Sequence, residues 1–98
     1  MPRVMFTISY NIKPEHRENY LNLINELRHH LTTVARKNYL VFEGKGKRNH
    51  YMEVYFFQNE EEFEALDDNQ DEHTQELLSR LEECIDTNGK KYATYTEL

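Results

Sequence analysis

The sequence predicts an α+β fold in which a four-stranded antiparallel sheet carries helices on one face. Three observations predict it. Four short segments are rich in aromatic and β-branched residues and alternate in polarity, as strands do. Two longer segments repeat apolar residues at steps of three and four, as amphipathic helices do. These segments follow one another in the order β-α-β-β-α-β, which is the split β-α-β arrangement, also called ferredoxin-like.

The first half of the chain predicts a strand and a long helix. Residues 3–12 form the strand, with one set of alternating residues on each face: Val4, Phe6, Ile8, Tyr10 and Ile12 against Met5, Thr7, Ser9 and Asn11. Pro14 followed by Glu15 starts the helix, because proline suits the first turn and acids suit its positive end. Its apolar stripe comprises Tyr20, Leu23, Ile24, Leu27, Leu31, Val34 and Ala35. We expect the helix to run to about Arg36, with Asn38 as a left-handed cap.

The second half predicts a hairpin, two helices and a last strand. Residues 39–43 and 50–57 are strands joined by the glycine-containing connection 44–49. Asn59 is an N-cap for a short helix that carries Phe63 and Leu66, and the polar residues 67–70 end it. A longer helix over about residues 71–86 has the stripe Leu77, Leu78, Leu81, Cys84 and Ile85, and residues 91–98 form the fourth strand. Cys84 is therefore expected to be a core thiol.

The two faces of the sheet are predicted from this alternation. We expect the more apolar set to face the helices: Val4, Phe6, Ile8, Leu40, Phe42, Met52, Val54 and Phe56. The opposite face would carry Met5, Thr7, Ser9, Tyr39, Val41, Tyr51, Glu53, Tyr55, Phe57 and Tyr95. Several adjacent aromatic rings make that face unsuited to water. A second copy of the chain would cover it, so that two sheets close into a dimeric α/β barrel.

Size and charge limit the classes of function. The chain has 98 residues and a mass of 11.9 kDa, which predicts a single domain over residues 1–98. Its 18 acidic and 12 basic residues leave a net charge of −6, which argues against nucleic acid as a partner. Apolar runs are too short for a membrane span or a signal-peptide core. With a single cysteine, we expect a cytoplasmic protein.

Two stretches carry a resemblance to a known family. The strand that leads through Ile12-Lys13-Pro14-Glu15 into a long helix, and the string from Tyr51 to Phe56 followed by Asn59 to Leu66, resemble the dimeric α/β-barrel superfamily. That superfamily includes antibiotic-biosynthesis monooxygenases, stress-responsive barrel proteins and haem-degrading monooxygenases. The resemblance implies a homodimer with a ligand-sized cavity, either between the sheet and helices of each subunit or at the seam between the two sheets.

Glu53 is the candidate catalytic residue. Burial raises the pKa of a carboxyl group, and neighbouring phenol hydroxyls can orient it as a general base toward a phenolic or enolisable substrate. The alternative is a structural carboxylate that is hydrogen-bonded across the dimer seam. The candidate ligand-binding residues are small polar or aromatic side chains: Thr7, Ser9, Asn11, Tyr51, Tyr55 and Tyr95. They equally suit interface packing or a wet cavity.

Cofactor and metal sites are not predicted. Haem degradation in the enzymes that this chain resembles uses an Asn, a Trp and a His. This chain has no Trp, and Thr7 and Leu66 align with the Asn and Trp positions. His73 lies several residues before the position of the His. Asp67, Asn69 and Asp71 match the start of a calcium loop, whose sixth and twelfth positions are here Glu72 and Leu78. The sequence therefore predicts no cofactor and no metal.

Two functions from different classes remain open. The first is a small-molecule enzyme, a cofactor-free monooxygenase or isomerase that acts on an aromatic or enolisable compound. The second is a non-enzymatic homodimer with a binding or structural role. An RNA-binding sheet shares the element order, but the third strand lacks the glycines and the basic residue of that motif, and Glu53 would repel phosphate.

Overall fold

The computed structural model describes residues 2–66 and 70–98 and confirms the predicted fold class. Its elements, in chain order, are β1 (Val4–Asn11), a 3-10 turn (Pro14–His16), α1 (Arg17–Thr33), β2 (Asn38–Glu43), β3 (His50–Phe57), α2 (Glu60–Glu64), α3 (Glu72–Cys84) and β4 (Lys91–Thr96). The four strands form one antiparallel sheet in the order β2-β3-β1-β4. The helices pack against one face of this sheet, with α1 and α3 side by side.

The long helix begins as predicted and ends earlier. Pro14 opens the 3-10 turn that leads into α1, and the predicted apolar stripe is buried at Tyr20, Leu23, Ile24, Leu27 and Leu31. The helix ends at Thr33, and Val34, which the stripe included, is 64% exposed. Arg36 takes the left-handed conformation that was predicted for Asn38, with a φ of 54°, and the Lys37 amide donates to the Leu31 carbonyl. Asn38 instead begins β2.

Side-chain caps fix the starts of the two later helices. The Asn59 side chain accepts a hydrogen bond from the Glu62 amide at 2.8 Å, which confirms the predicted N-cap. The Asp71 side chain caps α3 in the same way, through the Thr74 amide at 2.7 Å. Of the predicted polar break, residues 67–69 lie outside the described residues. Cys84, at the end of α3, is fully buried, as expected of a core thiol.

The predicted faces of β2 and β3 are wrong. The register pairs Ile8 with Glu53 and Tyr10 with Tyr51, so these side chains of β3 point to the same side as the helix-facing residues of β1. The helix-facing residues that the prediction placed on the other side are Tyr39, Val41, Tyr51, Glu53, Tyr55 and Phe57. The physical reason is size and hydrogen bonding: the large tyrosine rings fill the space under the helices, and their hydroxyl groups find buried partners there.

The face of the sheet that points away from the helices is apolar, as predicted. The residues that β2 and β3 contribute to it are, however, not the predicted ones. Leu40, Phe42 and Met52 are 42%, 54% and 37% exposed, and Tyr95 on β4 is 54% exposed. We call this side, with Met5, Thr7, Val54 and Phe56 between them, the outer face. Within residues 2–66 and 70–98, no helix is long and apolar enough to cross a membrane.

Candidate active site

A cavity of about 510 Å³ lies between the sheet and the helices. Four aromatic residues contribute to its wall: Phe6, Tyr55, Phe63 and Tyr92. The rings of Phe6 and Tyr92 lie nearly parallel on neighbouring strands, with centroids 6.0 Å apart, and Phe63 of α2 meets Phe6 at 5.4 Å. Leucine and isoleucine side chains, several of them from α3, add further apolar surface, and acidic, basic and amide side chains line the remainder, so the cavity suits a flat molecule with both apolar and polar groups.

Glu53 is the buried polar group of this cavity. It lies in the middle of β3, between Ile8 on β1 and Val41 on β2, and is only 5% exposed. The Tyr39 hydroxyl donates a hydrogen bond to its Oε1 atom at 2.5 Å. A carboxyl group on a central strand, with one side toward the cavity and the other toward tyrosine hydroxyls, is held in one orientation.

Burial raises the pKa of Glu53, because the ionised form loses its hydration. Hydrogen bonds from Tyr39 and Tyr10 act against this effect, as does the positive charge of Lys90, while the charge of Glu82 adds to it. The net direction is upward. A carboxyl group whose pKa is raised is a stronger proton acceptor when ionised, and it keeps its proton up to a higher pH.

Tyrosines on three elements form the hydrogen-bonding group behind Glu53. The hydroxyl groups of Tyr10 on β1 and Tyr20 on α1 lie 2.8 Å apart, and both residues are almost completely buried. Burial, as the largest cause, raises the pKa values of Tyr10, Tyr20 and Tyr39, so all three remain neutral phenols. Each phenol has one proton to donate. If the Tyr10 hydroxyl donates its proton to Glu53, the Tyr20 hydroxyl must donate to Tyr10, so that all the hydrogen bonds run toward the Glu53 carboxyl group.

A pair of opposite charges stands at the edge of the cavity. Lys90 directly follows Gly89, which turns the chain with a φ of +83°, and it forms an ion pair with Glu82 of α3. The Lys90 ammonium group also lies 5.7 Å from the centroid of the Tyr92 ring. Both Lys90 and Glu82 line the cavity together with Glu53.

The structure separates the predicted site residues into two groups. Glu53 and Tyr55 line the cavity, and Tyr51 shares their face but bonds through its hydroxyl to the Arg17 guanidinium at 2.9 Å. The other predicted ligand-binding residues point to the outer face: Thr7, Ser9, Asn11 and Tyr95. They are not near the cavity, and any role of theirs belongs to that face.

Sequence reasoning did not single out Lys90, Glu82 or the pairing of Tyr39 with Glu53. A signal for Lys90 existed, since it lies two residues before Tyr92 and therefore on the same side of the last strand. Glu82 has no such signal, because its approach to Lys90 depends on how α3 lies across the sheet.

The described residues contain no group of three histidine, cysteine or acidic side chains placed to hold a metal ion. Of the calcium-like run, Asp67 and Asn69 lie outside the described residues, while Asp71 caps α3 and bonds to His30 at 2.9 Å. Of the positions aligned with the haem-degrading enzymes, Thr7 points away from the cavity, Leu66 lines it, and His73 pairs with Glu26 at 3.3 Å.

Comparisons with known proteins confirm the resemblance at the level of the fold. A conserved protein from Methanosarcina mazei Go1 superposes with a TM-score of 0.83 over 100% of this chain and 95% of its own, at 17% identity. An antibiotic biosynthesis monooxygenase superposes with a TM-score of 0.79 at 14% identity, covering 97% of this chain and 98% of its own. A variant of SnoaB, a cofactor-independent oxygenase from Streptomyces nogalater, gives 0.72 at 8% identity, covering 95% and 90%. Neither the protein-family models nor the curated proteins contain a match. The chain therefore has the ferredoxin-like fold of the antibiotic-biosynthesis-monooxygenase-like proteins.

Proposed function

We propose that this protein is a homodimeric barrel that binds an aromatic or enolisable compound in the cavity and exchanges a proton with it through Glu53. The observation that carries the proposal is a carboxyl group that is 5% exposed, lines a cavity with an aromatic wall and accepts a hydrogen bond from the Tyr39 hydroxyl. Such a group needs an explanation, because burying a carboxyl group among apolar side chains costs free energy.

The chemistry follows from the proton that Glu53 takes. Removal of a proton from a phenolic or enolisable compound leaves an electron-rich anion. In an isomerisation, the proton returns to a different carbon atom. In a cofactor-free oxygenation, O₂ reacts with the anion at a CH₂ carbon, one oxygen atom stays as a carbonyl group and the other leaves as water. The fold shared with a cofactor-independent oxygenase supports the second reaction.

The proposal is tested with Glu53→Gln, which keeps the size of the side chain and its ability to accept the Tyr39 hydrogen bond. A panel of hydroxyaromatic and 1,3-dicarbonyl compounds is screened for binding by thermal shift and for turnover by O₂ consumption and by proton exchange into deuterated solvent. Compounds that bind should be turned over by the wild type and by Glu83→Gln, which removes an exposed carboxylate outside the cavity. They should bind to Glu53→Gln without turnover.

Two outcomes contradict this. Equal turnover by Glu53→Gln removes that residue from the mechanism. Tight binding with no proton exchange and no O₂ consumption by the wild type supports the second function, a non-enzymatic binding protein.

The homodimer is supported by the outer face, where Leu40, Phe42, Met52 and Tyr95 are exposed together. Two-fold pairing would cover this surface on both copies at once. Phe42→Glu should give an 11.9 kDa monomer in sedimentation at micromolar concentration. Val34→Glu, at an equally apolar and exposed position beyond α1, should leave the dimer intact. A wild type that sediments as a monomer overturns the dimer.

A further inference from the structure

The cavity is lined by more acidic than basic residues. Among the described residues that line it, three carry carboxyl groups, Glu53, Glu64 and Glu82, and one carries a positive charge, Lys90. The ammonium group of Lys90 is therefore the one positive charge among these lining residues that can neutralise an anion in the cavity. A cavity in which an anion forms would need one, because an unpaired charge among apolar side chains is costly.

Lys90 is held in place by the backbone before it. The Gly89 amide donates to the Asp86 carbonyl at 3.0 Å, the Asn88 amide donates to the Asp86 side chain at 3.1 Å, and Gly89 has a φ of +83°. This turn delivers the chain into β4 with the Lys90 side chain on the cavity side, next to the Tyr92 ring. The turn therefore fixes where the Lys90 side chain leaves the backbone, and Glu82 and the Tyr92 ring lie beside its ammonium group.

The partner of Lys90 is replaceable. The Glu82 side chain is 55% exposed, and that of Lys90 is 26% exposed. Ion pairs this open to water contribute little to stability, because both charges can be hydrated instead. Water can hydrate Glu82 once Lys90 turns away, because the Glu82 side chain is largely exposed. Lys90 can therefore leave Glu82 for an anion in the cavity at little cost in free energy.

We propose that Lys90 is the anion-binding residue of the cavity, and that it exchanges Glu82 for the oxyanion of a hydroxyaromatic or enolic ligand. The inference rests on the proposed function, because it takes the cavity to be the site where Glu53 accepts the proton. It adds a second residue that contacts the ligand, and it gives the ligand's acidic oxygen a position between Glu53 and the ammonium group. It also assigns Glu82 the role of holding Lys90 when the cavity is empty.

The test uses two probes of similar size, 4-nitrophenol, which ionises, and 4-nitroanisole, which does not. Dissociation constants are measured by calorimetry, and the phenol and phenolate forms of bound 4-nitrophenol are distinguished by their absorbance. Lys90→Met should weaken phenolate binding by about tenfold or more, the effect of losing one hydrogen bond to a charged group. It should change 4-nitroanisole binding by less than about threefold, because methionine keeps the apolar stem.

Two further variants distinguish a lost contact with the ligand from a damaged fold. Lys91→Met removes the neighbouring charge on the first residue of β4, which pairs with Ser9 on the outer-face side, and should leave both dissociation constants unchanged. Glu82→Gln frees Lys90 from its partner and should tighten phenolate binding, a gain that a damaged fold cannot produce. Thermal unfolding of each variant is measured alongside.

The outcomes separate the two proposals. If neither probe binds to the wild type, the proposed ligand site is wrong, and the role of Lys90 falls with it. If both probes bind and Lys90→Met binds phenolate as tightly as the wild type, or Glu82→Gln fails to tighten it, the role of Lys90 is overturned while the ligand site stands.

Discussion

Replacing Tyr39 with phenylalanine removes one atom from the buried site and changes the acidity of Glu53. The Tyr39 ring is 1% exposed and packs against Tyr55 with centroids 4.7 Å apart, so Phe keeps the packing and deletes only the hydroxyl group. That hydroxyl lies 2.5 Å from the Glu53 Oε1 atom, within the range of a bond between a hydroxyl and a carboxylate. Its loss removes a donor that favours the ionised form of Glu53.

The size of the effect follows from the kind of bond. Hydrogen bonds to charged groups contribute about 1.5 to 3 kcal/mol, and this one is shielded from water. Part of that free energy remains in the protonated state, where the bond is between neutral groups and contributes about 1 kcal/mol. Tyr39→Phe should therefore lower the acid dissociation constant of Glu53 by about threefold to thirtyfold, and the pKa of Glu53 should rise further above its ordinary value.

The measurement is the pH titration of the Glu53 carboxyl carbon by NMR in protein labelled with carbon-13, with the resonance assigned by its loss in Glu53→Gln. Tyr95→Phe removes a hydroxyl from the outer face, on the other side of the sheet, and serves as the matched control. A Glu53 titration in Tyr39→Phe that coincides with the wild type, or that moves to lower pH, refutes the hydrogen-bonding account of the site.

Two further predictions concern stability and pH. Because burial raises the pKa of Glu53, the folded protein binds more protons than the unfolded chain above about pH 4.5, so its free energy of unfolding falls as the pH rises. Glu53→Gln lacks this loss, so in urea unfolding its stability relative to the wild type should increase as the pH rises above about 4.5; a difference that stays constant with pH contradicts the raised pKa. The second prediction is for Arg17→Met, which removes a guanidinium that bonds Glu43 at 2.7 Å and also contacts Asn49 and Tyr51. The hydrogen bond from Arg17 is the main reason why the pKa of Glu43 is lowered to about 2, and the stability it confers is present above about pH 4.5 and is lost as the pH falls through about 2. Thermal unfolding of Arg17→Met should therefore depend less on pH in this acidic range than that of the wild type, and parallel curves would show that Arg17 does not hold Glu43.

The element order could be predicted from periodicity, but the faces of β2 and β3 could not. Alternation along a strand shows which residues share a side, but not which side meets the helices, because that depends on the pairing register. Hydrophobicity favours Met52, Val54 and Phe56 over the alternate set with Tyr51 and Tyr55 as the helix-facing side chains. Hydrophobicity ranks tyrosine too low when its hydroxyl has a buried partner.

The candidate site was predictable in one respect. Glu53 could be singled out as an acid between tyrosines on a strand, and it is buried beside a tyrosine hydroxyl, that of Tyr39. It is buried under the helices, however, and not on the opposite face where the sequence predicts it. The cation of the cavity had one sequence signal, the position of Lys90 two residues before Tyr92, but its pairing with Glu82 had none. Glu82 lies on α3 and Lys90 just before β4, and only the packing of α3 over the sheet brings them together.

The buried thiol of Cys84 can be used to measure how often this molecule opens locally. The side chain is fully buried where α3 packs near α1, and the Asn19 amide lies 3.7 Å from its sulfur atom. A thiol reagent can reach Cys84 only when the end of α3 separates from the sheet or from α1. With no second cysteine to react, the labelling rate measures how often the end of α3 separates from the rest of the molecule. A molecule that fills the space beneath α3 should slow that rate, which offers a way to detect occupancy without knowing the compound's chemistry.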